Sequence, residues 1–213
     1  MSSTHKALGA CKSICAQAHK VSKLEGDISP ADIDKLEEEL AEISTTVKSS
    51  YFPEGSKYGH LPMVIPQEKV RTLVADPVYI YSAQGDPGAY DPLAANNNTA
   101  SQREQQVAVH EEKRTTYEIG LGVAEGLKEL IVYAAGRDAL DPLKKIYIGF
   151  GDTDPHAMLK FLRTKAAVQM TALDKIMFKA EGYAKKWDTS KNICTCFTTV
   201  NLLESRDIPT SNK

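Results

Sequence analysis

Two cysteines near the start of the sequence have a spacing that could bind a metal ion. Cys11 and Cys15 are four residues apart, so a helix would place both thiols on one face. Zinc is commonly held by thiolate and imidazole ligands, and His5 or His19 could supply one. The alternative is a reduced pair without metal, and we favour it. The sequence therefore predicts no metal site and no cofactor.

A second pair, Cys194 and Cys196, is separated by a single residue. This gap is shorter than the two-residue gap of common zinc motifs, so a structural role is favoured. Met1 to Lys20 lacks the apolar stretch of a signal peptide. We expect a cytoplasmic protein whose cysteines stay reduced.

Three histidines could take part in proton transfer or respond to pH. His60, between Gly59 and Leu61, could be a general base or a pH switch. His110 lies in a charged segment, where a solvated helix face is the expected position. His156 has Asp154 nearby, but that aspartate precedes a proline and is better explained as a helix cap.

No catalytic site is predicted, and the chain is interpreted as non-enzymatic with no small-molecule substrate. Neither a nucleophile elbow nor a phosphate-binding glycine loop occurs. Gly120, Gly122 and Gly126 imitate a dinucleotide motif, but their spacing is wrong and no strand pattern precedes them. In a helix they would mark a bend or the close approach of another helix.

Composition is that of a globular protein, with 42% hydrophobic and 25% charged residues in a chain of 213. The net charge of −2 gives no overall excess of basic residues for binding nucleic acid. No run reaches the roughly 20 apolar residues of a membrane span, so no membrane partner is expected. A local basic cluster around Trp187 could contact RNA weakly, although a solvated face is favoured. It consists of Lys175, Lys179, Lys185, Lys186 and Lys191.

The clearest helix signal begins after Ser29, with Pro30 in its first turn. Its apolar residues recur at steps of three and four, which places them on one stripe. The stripe is either core or a seam between helices, and core is favoured. Its members are Ile33, Leu36, Leu40, Ile43 and Val47.

Frequent proline and glycine exclude long helices between residues 49 and 98. A short extended segment is expected at 61–65, and a helix of one or two turns from Gln67 to Val74. A long helix should begin near Ser101, where Glu104 completes a capping-box spacing. Its first half is polar and should project into solvent.

Shorter helices should follow, the first from Asp141 to about Tyr147. The predicted core of this part comprises Leu121, Leu127, Ile131, Tyr147, Phe150, Met158, Leu159, Leu162 and Trp187.

The predicted fold class is all-α: a multi-helix bundle with an irregular Pro/Gly-rich segment and an N-terminal helical hairpin-like region. We divide the chain into a polar segment with room for a short helix (1–27) and a segment with the amphipathic helix and the Pro/Gly-rich loop (28–98). A compact helical domain (99–205) and a tail (206–213) follow.

The order of these features resembles the Gag region of Copia-type LTR retrotransposons, especially the group common in diatoms and other algae. The amphipathic helix is followed by Gly59-His60-Leu61-Pro62, then by a Pro/Gly-rich loop and a long charged helix. An aromatic-Ile-Gly-Phe stretch begins at Tyr147, and a Met-Leu-x-x-Leu face begins at Met158. The resemblance spans residues 28 to 205, and it implies that His60 is a structural turn residue rather than a general base. It departs from the family at Lys165-Ala166-Ala167, where a Tyr-Gly is usual, and it lacks a zinc knuckle.

The resemblance implies the capsid-like front part of Gag, which self-assembles into a cytoplasmic virus-like particle around element RNA. Its partner would be further copies of the same chain, joined by many weak contacts. The alternative is a helical module that binds another protein without forming particles. That module would be a stable monomer or dimer with an exposed apolar patch on the 33–47 helix.

Overall fold

The computed structural model describes residues 4–168, apart from 27, 51, 54 and 92–98. This part of the chain is all-α and contains no β-strand, which confirms the predicted class. The α-helices are α1 (Thr4–Cys15), α2 (Pro30–Thr45), α3 (Gly55–Tyr58), α4 (Gln67–Val74), α5 (Ala100–Ala135) and α6, which is helical over 155–168. Short 3₁₀ turns lie at Ala18–Lys20, Leu61–Met63 and Asp138–Leu143.

Helix α2 begins where the local sequence predicts it. The Ser29 hydroxyl accepts a hydrogen bond from the Asp32 amide, and the Asp32 carboxylate accepts one from the Ser29 amide at 2.9 Å. This capping box satisfies amides that have no partner within the helix. The Ser29 hydroxyl also donates to the Asp32 carboxylate at 2.7 Å, and this bond, followed by the one from the Ser29 amide, lowers the pKa of Asp32.

Helix α1 packs along α5, and the two helices run in the same direction. The backbone of Ala7 lies against Gly122, and Ile14 lies against Gly126. Beyond the helix, the Leu24 amide donates to the Ala134 carbonyl at 2.8 Å. The glycines therefore mark the close approach of another helix, one of the two predicted alternatives.

One core joins residues from α1, α2, α5 and α6. The α2 stripe is fully buried at Ile33, Leu36, Leu40 and Ile43, while Val47 is partly buried against the same core. The stripe is therefore core rather than an exposed seam. From the second half of the chain the core includes Val123, Leu127, Leu130, Ile131, Leu140, Met158, Leu159, Leu162 and Ala166. Phe150 is partly buried against it.

A smaller cluster lies under the Pro/Gly-rich segment. Phe52, Ile65 and Val70 are buried together. The rings of Tyr79 and Tyr81 meet Phe52 edge-on, each with its centroid 6.1 Å away. This cluster fixes a stretch of chain that has no regular secondary structure of its own.

Helix α5 begins slightly earlier than predicted. Its cap is Thr99, which forms a capping box with Gln102, so the predicted box of Ser101 and Glu104 is wrong. Two overlapping spacings of the same kind occur there, and the structure uses the first. From Thr99 to Arg114 only His110 is even partly covered, so this half projects as expected.

Two residues predicted for the core are at the surface. Leu121 is 44% exposed, because α1 packs against the neighbouring glycine face of α5. Tyr147 is fully exposed, because the predicted helix from Asp141 is a 3₁₀ helix that ends at Leu143.

The predicted N-terminal hairpin of helices is also wrong, since α1 packs along α5 and not along α2. The extended segment predicted at 61–65 is wrong, because Leu61–Met63 is a 3₁₀ turn closed by backbone hydrogen bonds of 2.9 and 3.0 Å. Helix α4 has the predicted limits, Gln67–Val74.

Several predicted features lie outside the described residues. They are Trp187, the lysine cluster Lys175, Lys179, Lys185, Lys186 and Lys191, the pair Cys194 and Cys196, the helices predicted after residue 168, and the tail 206–213.

Candidate interaction surfaces

The two cysteines of α1 lie side by side, with their sulfur atoms 4.0 Å apart. Partial burial, followed by the proximity of Cys11, raises the pKa of Cys15 to about 11. A metal ion would have to displace the proton of this thiol, because the thiolate is the form that binds metal. Nδ1 of His19 lies 3.2 Å from the Ala16 carbonyl oxygen. Within the described parts of the chain, no group of three or more His, Cys, Asp or Glu side chains could hold a metal ion.

His60 is part of a tight turn against the end of α2. Its amide donates to the Ser44 carbonyl at 3.0 Å, and Gly59 has a φ of 54°. A Cβ at position 59 would lie 2.5 Å from the Val47 carbonyl oxygen, so only glycine fits. The His60 side chain is 1% exposed, and burial lowers its pKa to about 4 against the opposing effect of a hydrogen bond to the Lys48 backbone. The ring is therefore neutral and structural at pH 7.

The other two histidines each contact a neighbouring segment. Nδ1 of His156 lies 3.2 Å from the Val64 carbonyl oxygen, which ties α6 to the Leu61–Met63 turn. Asp154 caps α6 as predicted, accepting a hydrogen bond from the Ala157 amide at 2.7 Å. His110 is half-covered by the Tyr90 ring, whose centroid is 5.5 Å away.

Buried charge is concentrated around Glu37 on α2. Its side chain is 4% exposed and accepts from Lys69 of α4 at 3.0 Å and from Arg163 of α6 at 2.9 Å. Arg163 also pairs with Asp34, and hydrogen bonding first to Asp34 and then to Glu37 raises the pKa of this arginine. This group joins three helices by compensated charges.

The most exposed apolar group lies at the tip of a short hairpin after α5. Lys145 and Gly149 exchange two backbone hydrogen bonds of 2.9 Å, forming an isolated antiparallel bridge. Ile146 is 80% exposed, Tyr147 is fully exposed and Ile148 is 54% exposed. We call residues 145–149 the hairpin tip. Three adjacent apolar side chains in water are a usual sign of a protein contact.

The backbone of this tip is strained. Tyr147 has a φ of 71°, a left-handed conformation that costs a residue with a side chain roughly 1–2 kcal/mol. Such strain persists only where the surrounding structure enforces it. Here it points the Tyr147 ring into solvent.

A buried lysine holds the base of the tip. Lys128 of α5 is 5% exposed and donates to the carbonyls of Phe150 at 3.2 Å and Gly151 at 3.3 Å. It also pairs with Glu125 at 2.6 Å. The tip is therefore a fixed protrusion rather than a loosely attached loop.

A second exposed apolar segment follows α4. Val78 is 79% exposed and Ile80 is 72% exposed, while Tyr79 and Tyr81 point into the Phe52 cluster. The Gln67 side-chain amide accepts from the Tyr81 amide at 3.1 Å and donates to the Tyr79 carbonyl at 2.8 Å. Side chains that alternate in this way between solvent and the Phe52 cluster are typical of an extended chain.

The projecting half of α5 forms one wall of an open groove with a volume of about 490 Å³. Tyr90, Val109 and His110 line it together with glutamine side chains.

Sequence reasoning missed Ile146, Ile148, Val78 and Ile80 as surface residues. Two signals could have found them. Ile146-Tyr147-Ile148 is rich in β-branched and aromatic residues between Lys145 and Gly149, which suits a hairpin better than a helix. Val78-Tyr79-Ile80-Tyr81 is a short run of the same kind, bounded by Pro77.

Comparison with known proteins gives no further guide. No family model, curated protein or solved structure matches this chain. None of the described helices has the length and apolar character needed to cross a membrane.

Proposed function

We propose that this chain is a structural assembly protein, the capsid-like Gag segment of a Copia-type LTR retrotransposon. Copies of it associate into a cytoplasmic capsid or virus-like particle that encloses element RNA. The ordered set of motifs from residue 28 to residue 205 supports the family. The exposed hairpin tip supports the self-association.

The tip carries this proposal because its size suits a repeated weak contact. Ile146, Tyr147 and Ile148 together offer far less than the roughly 800 Å² per partner of a stable specific interface. A single such contact is weak, but many contacts acting together hold a shell. Contacts between different surfaces of identical subunits build rings or open, propagating assemblies, depending on the rotation between subunits.

The motif Tyr147-Ile148-Gly149-Phe150 is part of the resemblance, and its residues differ in burial. Phe150 is partly buried against the core, whereas Tyr147 and Ile148 face solvent. Phe150 can thus stabilise the fold, while Tyr147 and Ile148 are available for an intermolecular contact. The glycine of the motif has a φ of 63°, which the hairpin requires.

The test is assembly of the purified full-length chain over a range of concentrations, with and without RNA. We expect large oligomers by sedimentation velocity and particles by electron microscopy. Tyr147→Asn should raise the concentration for half-assembly about tenfold, the equivalent of 1.4 kcal/mol. Asparagine tolerates the left-handed backbone, so the fold should be unchanged.

Val168→Asn is the matched control, because Val168 is 66% exposed and lies on α6 instead of the tip. It should assemble like the unaltered chain. A strictly monomeric profile at high concentration, with and without RNA, contradicts the proposal.

The alternative of a protein-binding module without particles predicted an exposed apolar patch on the 33–47 helix. Ile33, Leu36, Leu40 and Ile43 are buried, so that patch is absent from α2. A stable monomer or dimer in the same sedimentation experiment would favour the module.

A further inference from the structure

The segment from Val78 to Ser82 has a backbone edge that is open at Ile80, while the Val78 amide on the same side donates to the Asp76 carboxylate at 2.9 Å. Gln67 bonds the Tyr79 carbonyl and the Tyr81 amide, as a neighbouring parallel strand would bond the residues on either side of Ile80. In an extended chain the amide and carbonyl of Ile80 then face away from Gln67. Neither group has a partner among the described residues.

Apart from the Asp76 carboxylate at the Val78 amide, the same edge lacks the usual protection against pairing. Natural edges carry charges, inserted prolines or bulges that discourage another chain. Residues 78–85, Val-Tyr-Ile-Tyr-Ser-Ala-Gln-Gly, contain no charged residue and no proline. Their first four residues have high β propensity. Two of the four, Val78 and Ile80, present their side chains to solvent beside the open backbone.

We infer that the Val78–Ser82 edge is a contact between copies of this chain, formed by antiparallel pairing of two identical edges about a two-fold axis at Ile80. The inference rests on the proposed self-association for its choice of partner. It adds a second surface, distinct from the hairpin tip.

Self-complementarity argues for a second copy as the occupant. In an antiparallel pair with Ile80 opposite Ile80, each residue donates its amide to the other's carbonyl, and both open groups are satisfied. Val78 then stands opposite Ser82, and the two isoleucines cover each other. No like charges meet, because the paired segments are uncharged.

Cysteine cross-linking tests the register. Opposite residues of a hydrogen-bonded antiparallel pair have Cα atoms about 5.5 Å apart, within disulfide range. Two copies of residue 78 would be about 13 Å apart, four residue steps along the strands, and out of range. Ile80→Cys and Val78→Cys are well matched, since the native side chains are 72% and 79% exposed.

Both variants are made in the full chain with Cys11, Cys15, Cys194 and Cys196 replaced by serine, and are oxidised with glutathione disulfide. Ile80→Cys should form disulfide-linked dimers at least tenfold faster than Val78→Cys. Equal rates, or faster linking at position 78, overturn the inferred pairing.

A second measurement uses the unaltered chain and does not depend on the cysteine-free background. Hydrogen exchange at the Ile80 amide should slow at least tenfold as concentration rises. Exchange that stays fast at every concentration overturns the inference, even if some other extended peptide can bind the edge.

Particle formation is recorded for the same samples by electron microscopy. Particles without protection or cross-linking at residue 80 reject this contact and leave the proposed function standing. A cross-linked dimer without particles supports this contact and rejects capsid assembly.

Discussion

The carbonyl of Ala7 in α1 lies against the Cα of Gly122 in α5, in space that any side chain would occupy. One turn further along, a Cβ at Gly126 would lie 2.7 Å from the Cβ of Ile14. Backbone contact of this kind is available only to glycine. The packing of the first helix on the longest one thus depends on two missing side chains.

Gly122→Ala should therefore weaken the fold. The added methyl group meets backbone rather than a movable side chain, and such overpacking costs about 1–3 kcal/mol. Gly9→Ala is the matched control, because Gly9 is in α1 with nothing within 4 Å of the position a Cβ would take. It should stabilise by about 0.5–1 kcal/mol through helix propensity. Urea denaturation of both variants measures the difference, and a stabilising Gly122→Ala contradicts the close contact.

Lys128→Met should loosen the hairpin tip without unfolding the core. The methionine fills similar space but cannot donate to the Phe150 and Gly151 carbonyls. We expect the amides of Lys145 and Gly149 to exchange about tenfold faster by hydrogen exchange, as expected if about 1.4 kcal/mol is lost.

The control for the tip is Lys145→Met, which removes an ion pair with Asp152 in which both side chains are more than half exposed. Pairs of that kind contribute between 0 and about 1 kcal/mol. If the tip amides exchange at the same rate in Lys128→Met and Lys145→Met, the buried Lys128 does not hold the tip.

Stability should fall as the pH drops from about 6.5 to about 4, because His60 is buried and neutral. Its folded pKa of about 4 lies below the ordinary value of 6.5. Between these values the unfolded chain binds a proton that the folded chain does not, so the free energy of unfolding rises with pH. The contribution is complete above pH 6.5 and amounts to about 3 kcal/mol at most.

Urea denaturation at several pH values checks this, with His60→Gln as the variant that cannot titrate. The variant should lose this part of the pH dependence. His19→Gln, at an exposed position, should keep the profile of the unaltered chain. An unchanged slope in His60→Gln would assign the acid sensitivity to other groups.

Arg163→Met should destabilise the chain more than Lys69→Met. Both leave the buried Glu37 carboxylate with one fewer cation, but Arg163 also pairs with Asp34. Because Arg163 is 38% exposed, solvent screening limits the loss to about 1–3 kcal/mol. Replacing the whole pair in Glu37→Met/Arg163→Met should recover part of the loss, since no buried charge remains. If the losses of thermal stability in Glu37→Met and Arg163→Met simply add in the double variant, the two residues are not coupled.

Local sequence determined the elements that depend on local interactions. Ser29, Pro30 and Asp32 fix the start of α2 within a few residues of chain, and the helix begins there. The three- and four-residue steps of the stripe put Ile33 and Leu40 on one face, and that face is buried. The limits of α4 and the cap at Asp154 follow for the same reason.

Tertiary structure alone decided which partner covers each face. The periodicity of α5 suits burial of Leu121 as well as of Leu127, but α1 docks on the glycine side and leaves Leu121 in water. Tyr147 looks like a core residue by type, yet a hairpin closed by long-range support from Lys128 turns it outward. Helix starts depend on neighbours in sequence, whereas burial depends on contacts between distant segments, so only the folded chain defines its exposed surfaces.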